Sequence, residues 1–131
     1  MTQETSCHRL KILPVNATFE EFISKRDALA WLSMTKPETC ASANILSQIT
    51  PTTFNSTHIQ QLNKLTKHVH KYSKRGITHH PLDMDSVRMI TFSDSSFANN
   101  SDKKTQLGYI VLLTDKTGKS NILHYASYKS R

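Results

Sequence analysis

Apolar residues recur every three or four positions through the first half of the chain and alternate or run together through the second. Thr18-Phe19-Glu20-Glu21 reads as a capping box that starts a helix, with Glu21 reaching back to Thr18. Phe19, Phe22, Ile23, Leu29, Ala30 and Leu32 give that helix a broad apolar face up to about Met34. Trp31, the one Trp, falls within it and is expected to be a packed anchor because of the area an indole buries. Pro37 suits the first turn of a second helix and Glu38 its positive end. That helix is expected to run to Gln48 or Ile49 with Ala41, Ile45, Leu46 and Ile49 inward, before Thr50-Pro51 breaks it. A third helix is expected from Thr57, with Thr57-His58-Ile59-Gln60 as its capping box and Gly76 as its stop. Ile59, Leu62, Leu65, Val69 and Tyr72 supply its apolar stripe.

The period then changes. Val87 to Phe92 carries apolar side chains at both parities, the pattern of a strand covered on both faces, and Ser93-Asp94-Ser95-Ser96 closes it. A polar loop from Asn99 to Thr105 leads to Leu107–Leu113, expected to be a buried strand. Thr114 to Lys119 reads as a hairpin turn with Gly118 at positive φ, and Asn121 to Ser127 as a third strand. The fold class is therefore α+β: a helical N-terminal half of three helices, then an antiparallel three-stranded meander. Residues 1–17 read as an N-terminal extension, 18–80 as a helical region and 81–131 as the sheet-forming region.

At 131 residues the chain allows one modest domain or pieces of two. The formal charge of +7 points to an anionic partner, nucleic acid being the commonest. The excess is localised: no acid interrupts Lys64 to His80. Lys64, Lys67, Lys71, Lys74 and Arg75 are the candidate nucleic-acid-binding residues, a surface suited to tracking phosphates. His68 and His70 lie about 200° apart on a helix and do not ligate one ion together. Cys7 and Cys40 have neither metal-ligand nor disulfide-framework spacing, so reduced thiols in an intracellular protein are expected. The first residues show no signal peptide, and no apolar run reaches the roughly 20 residues that cross a bilayer.

Several segments, in order, resemble one family. Ala28-Leu29-Ala30-Trp31-Leu32-Ser33 followed by Thr35-Lys36-Pro37-Glu38 resembles a "L-x-W/Y-L … T-R-P-D" helix pair. Ala43-Asn44-Ile45-Leu46-Ser47-Gln48 resembles "A-V-N-x-L-S-Q/R", and His58 to His70 resembles the helix that follows it, with Arg75-Gly76-Ile77 as its stop. Phe92-Ser93-Asp94-Ser95-Ser96-Phe97-Ala98 resembles "Y-x-D-A-D/S-W/F-A", and Thr105-Gln106-Leu107-Gly108-Tyr109-Ile110 resembles "S-T/Q-x-G-Y-V/I". These are motifs of the Pol polyprotein of copia-type LTR retrotransposons, from the end of the reverse transcriptase into the RNase H domain. The resemblance covers about Phe19 to Arg131. Lys36 and Glu38 replace Arg and Asp of the family pattern, and Ala28 stands where Gly is frequent.

The resemblance implies RNA-directed DNA synthesis and RNase H cleavage for the parent polyprotein, in a cytoplasmic particle with nuclear access. It implies Asp94 as a catalytic residue and metal ligand, Mg²⁺ as cofactor, and an RNA–DNA hybrid or RNA backbone as partner, with the rest of the polyprotein a further partner. RNase H chemistry uses two Mg²⁺ ions shared by several carboxylates. The family's polymerase Asp-Asp motif is expected upstream of Met1, and its next RNase H carboxylate on a helix beyond Arg131. Asp83, Asp85, Asp102 and Asp115 fall in expected turns or loops, so the chain by itself is expected to be inactive or nearly so. Two other functions fit the same residues: a non-catalytic basic nucleic-acid-binding module, and an inert remnant of a retroelement.

Overall fold

A computed structural model describes residues 10–96 and 104–130. The α+β class expected from the pattern is what the chain adopts. The contacts divide it into two compact units, Met1–Gly76 and Ile77–Arg131.

The first unit is helical. Helix α1 spans Phe19–Leu32 behind the expected capping box: Glu21 N donates to Thr18 Oγ1 at 3.2 Å, and Thr18 N to Glu21 Oε2 at 2.8 Å. Phe22, Lys25, Leu29 and Leu32 form its buried face. Trp31 is 72% exposed, against the expected packed anchor. It lies about 160° round the helix from Leu29, so the register that buries Phe22 and Leu29 turns the indole to solvent.

A 3₁₀ turn at Pro37–Thr39 leads into α2, Cys40–Ser47. Thr39, Ala43 and Leu46, at i, i+4 and i+7, are the buried positions. Ala41 and Ile45 therefore face outward, contrary to expectation, Ile45 lying about 100° off the buried line.

Helix α3 spans Ser56–Lys71. Its cap is Asn55 and not Thr57: Asn55 Oδ1 accepts from Thr57 N at 2.9 Å and His58 N at 3.4 Å. The imidazole of His58 completes the box in place of Gln60, with Nδ1 accepting from Asn55 N at 3.2 Å. Asn ranks with the best cap residues, which draws the start two positions upstream. Ile59, Leu62, Leu65, Thr66 and Val69 are buried, and Leu62 and Val69 join Phe22, Leu29, Leu32, Leu46 and Leu65 in one core. Phe54 sits beside it, its ring 5.1 Å from Phe22 and 5.2 Å from Phe19. The segment before α1 is pinned to α3 by Asn63, which both accepts from Leu13 N and donates to Leu13 O at 2.8 Å.

The second unit is a three-stranded antiparallel sheet, β1 (Arg88–Ser96), β2 (Gln106–Thr114) and β3 (Ser120–Lys129), in that order. The β2–β3 turn places Gly118 at φ 83°, as expected. β1 pairs with β2 without a break from Arg88↔Thr114 to Ser96↔Gln106. Between β2 and β3 the register slips after Val111↔His124, leaving Leu123 as the extra residue of a bulge. The expected two-sided cover of β1 is not observed: the strand is exposed along its length, and β2 is half-buried where a buried strand was expected. Among the described residues β1 pairs along one edge only, with β2. The one helical turn in its own unit, among the described residues, is Met84–Ser86, so this unit lays no second layer on the sheet.

Candidate nucleic-acid interface and the Asp94 strand

The core contacts of α3 decide what its other side presents. With Leu62, Leu65 and Val69 inward, Lys64, Lys67 and Lys71 are all exposed within an arc of about 60°. Lys64 and Lys71 stand about 10 Å apart along the axis. Lys74 and Arg75 continue the exposed cations past the helix end. The ion pairs among the described residues, Arg26–Asp27 and Lys116–Asp83, involve none of the five. The sequence-predicted cationic surface is thus assembled on one side of one helix and its following turn.

The way α3 ends differs from expectation. The helix stops at Lys71, five residues before Gly76, and Tyr72 is its C-cap with φ −114° and ψ 35°. The carbonyls of the C-cap and of the turn after it are taken by Lys36, 1% exposed, whose Nζ donates to Tyr72 O at 3.0 Å, Ser73 O at 3.2 Å and Arg75 O. The Tyr72 ring has the Arg75 guanidinium over it at 3.8 Å, Lys71 Nζ at 5.3 Å and the His68 ring at 4.8 Å. Neither Lys36 nor Tyr72 stood out in the sequence as part of this surface.

Asp94 lies on β1, opposite Gly108 of β2. Its Oδ1 accepts from Ser95 N at 2.8 Å. By register its face of the sheet also carries Ile90, Phe92 and Ile110, whereas Tyr109 and His124 occupy the other face, the Tyr109 hydroxyl 3.1 Å from His124 Nδ1. A Cβ at Gly108 would meet nothing nearer than Ala126 O at 3.9 Å. Packing therefore does not demand glycine there; its effect is to leave the Asp94 carboxylate uncovered on that side.

Of the other described acids of this unit, Asp85 lies exposed in the Met84–Ser86 turn, and Asp83 and Asp115 are engaged elsewhere. Asp115, 8% exposed, accepts from Asp83 N at 2.9 Å, Thr117 N at 2.8 Å and Thr117 Oγ1 at 2.6 Å. These donors, the Asp83 amide foremost, hold its carboxyl down at about 2. Asp83 pairs with Lys116 at 2.8 Å and accepts from Ser86 Oγ at 3.1 Å, and both contacts lower its pKa. This clasp ties the Met84–Ser86 turn to the β2–β3 hairpin at the Arg88↔Thr114 end of the sheet. Asp94 is six residues along β1, about 20 Å away. Asp102, Phe97 and Ala98 lie outside the described residues. Among the described residues no three His, Cys, Asp or Glu side chains are grouped to hold a metal ion. A two-Mg²⁺ centre does not fit this donor set, because Asp94 stands without a second described carboxylate beside it. His68 and His70 keep their Nε2 atoms buried with no hydrogen-bond partner.

No protein-family model matches the chain, and no curated protein or solved structure is significantly similar to it. No helix among the described residues is long and apolar enough to cross a membrane.

Proposed function

We propose that the chain is a segment of a copia-type retrotransposon reverse transcriptase/RNase H polyprotein that by itself binds the sugar–phosphate backbone of an RNA–DNA hybrid or RNA and does not cleave it. The observation that carries the binding is the α3 surface: five cations on one exposed side and its continuing turn, on a helix whose opposite side is fixed in a core. Backbone binding of this kind is sequence-independent and strongly salt-dependent. The polyprotein ancestry is supported by the ordered motifs and by an antiparallel meander whose first strand exposes Asp94. In the parent protein Asp94 would be one ligand of the Mg²⁺ pair that activates water and stabilises the leaving oxygen. This reading puts the protein in the cytoplasm or nucleus.

The test is a labelled RNA–DNA hybrid titrated with the full chain at several salt concentrations, then incubated with Mg²⁺. Binding that weakens steeply with salt and is lost in the Lys64→Glu/Lys67→Glu/Lys71→Glu variant is expected, with no cleavage above buffer. Metal-dependent cleavage abolished by Asp94→Asn would overturn the non-catalytic half. Binding indifferent to the triple variant would overturn the other.

A further inference from the structure

The C-terminal end of a helix is its least hospitable end for an anion, with unsatisfied carbonyls and the negative pole of the macrodipole. Yet Lys71, Lys74 and Arg75, three of the five cations of this surface, sit at that end of α3. The buried contact of Lys36 resolves the conflict. Its ammonium has three donors, and three carbonyls, those of Tyr72, Ser73 and Arg75, receive them. A positive charge held against the carbonyls of the C-cap and the turn after it offsets the pole that would repel a phosphate. The Arg75 guanidinium lies over the Tyr72 ring, its Cζ 3.8 Å from the centroid, while the residue stays exposed. A guanidinium that meets a ring by its planar face keeps its N–H edges free to take a phosphate through two parallel hydrogen bonds.

We propose that the end of α3 is a built phosphate-binding site in which Arg75, held on the Tyr72 ring, takes one backbone phosphate bidentately, Lys71 and Lys74 flank it, and Lys36 is the positioning residue that makes the helix terminus tolerate the anion. This rests on the backbone-binding reading above and adds to it a unique anchor where that reading needs only a diffuse cationic side.

The experiment measures binding of a 16-base-pair RNA–DNA hybrid to the full chain by fluorescence anisotropy across a salt series, with helicity followed by circular dichroism. Arg75→Lys, which keeps the charge and leaves Lys36 in place, is expected to weaken binding about tenfold, whereas Lys64→Ala costs less. Arg75→Ala is expected to reduce the salt slope by about one phosphate. Lys36→Met, with helicity retained, is expected to weaken binding about tenfold, and adding Arg75→Ala to it costs little more, the signature of two residues acting as one site. Lys36→Arg is expected to restore affinity. Full affinity in Arg75→Lys overturns the proposal whatever becomes of Lys36→Met. So does a folded Lys36→Met chain in which Arg75→Ala costs as much as in the native chain. A wild-type chain that fails to bind the hybrid removes the backbone-binding reading itself. Binding that survives at Arg75 and Lys36 but is lost on reversing Lys64, Lys67 and Lys71 removes only the anchor.

Discussion

Lys25 and Asp115 carry opposite pH signatures. Lys25 lies on the buried side of α1 with Nζ lacking a hydrogen-bond partner, and burial lowers its pKa below 10.5. Between that lowered value and 10.5 the unfolded chain holds more protons, so this residue makes stability rise with pH there; below it the cost of burying the charge is present in full. Lys25→Met is expected to stabilise the chain by about 1 kcal/mol at neutral pH, with the gain shrinking as pH approaches 10.5, read from urea melts at the two extremes. Asp115 is the reverse case. Its folded value of about 2 lies below the ordinary 3.8, so its contribution is present above 3.8 and is lost as pH falls through 2. Acid titration of the sheet signal is expected to show a limb in that window, and Asp115→Asn should flatten it. An unchanged limb in Asp115→Asn would mean that the clasp does not set acid stability. Neither residue was legible beforehand. A Lys at an inward helical position looks like any Lys, and the foremost partner of Asp115, the Asp83 amide, lies 32 positions away.

At the scale of elements, periodicity carried the three helices and the meander, because 3.6-residue and two-residue spacings are local properties. What it did not carry was decided by neighbours. The α1 register was readable from Phe22, Leu29 and Leu32, but Trp31 was assigned by size alone and size does not choose a face. The α3 start is ambiguous in sequence because Thr57-His58-Ile59-Gln60 and Asn55-Ser56-Thr57-His58 are both cap-like, and an imidazole nitrogen is not the usual partner in a capping box. Asn55→Ala is therefore expected to cost about 1 kcal/mol and Thr57→Ala much less, measured by thermal melts. Equal costs would restore the Thr57 cap. Gly118, at φ 83°, gives the matching test in the sheet: Gly118→Ala is expected to cost about 1 kcal/mol from backbone conformation, since a Cβ there meets no heavy atom within 4 Å. The exposure of β1 departs from its pattern for a different reason. Met89, Ile90 and Phe92 imply cover on both faces, and side-chain pattern says what a strand needs without saying whether its own unit supplies it.

At the scale of the whole molecule, the issue is whether binding reads net charge or its arrangement. Residues 1–76 hold ten Lys and Arg against five Asp and Glu, and residues 77–131 hold seven against five, so most of the +7 belongs to the helical unit. Five cations on α3 and its turn predict a log–log salt slope approaching about −4 if each meets a phosphate. A protein attracted only by its total charge would respond alike to any reversal of the same size. Two triple variants separate the cases. Lys64→Glu/Lys67→Glu/Lys71→Glu and Lys103→Glu/Lys104→Glu/Lys119→Glu each remove six units of charge and leave the chain at +1. The first is expected to weaken hybrid binding by about 100-fold or more and to flatten the slope, the second by no more than about threefold. Equal losses would mean that a diffuse field, and not the α3 surface, holds the nucleic acid. The distinction bears on the parent protein too: an arranged surface fixes where a hybrid lies along α3, and a diffuse field does not.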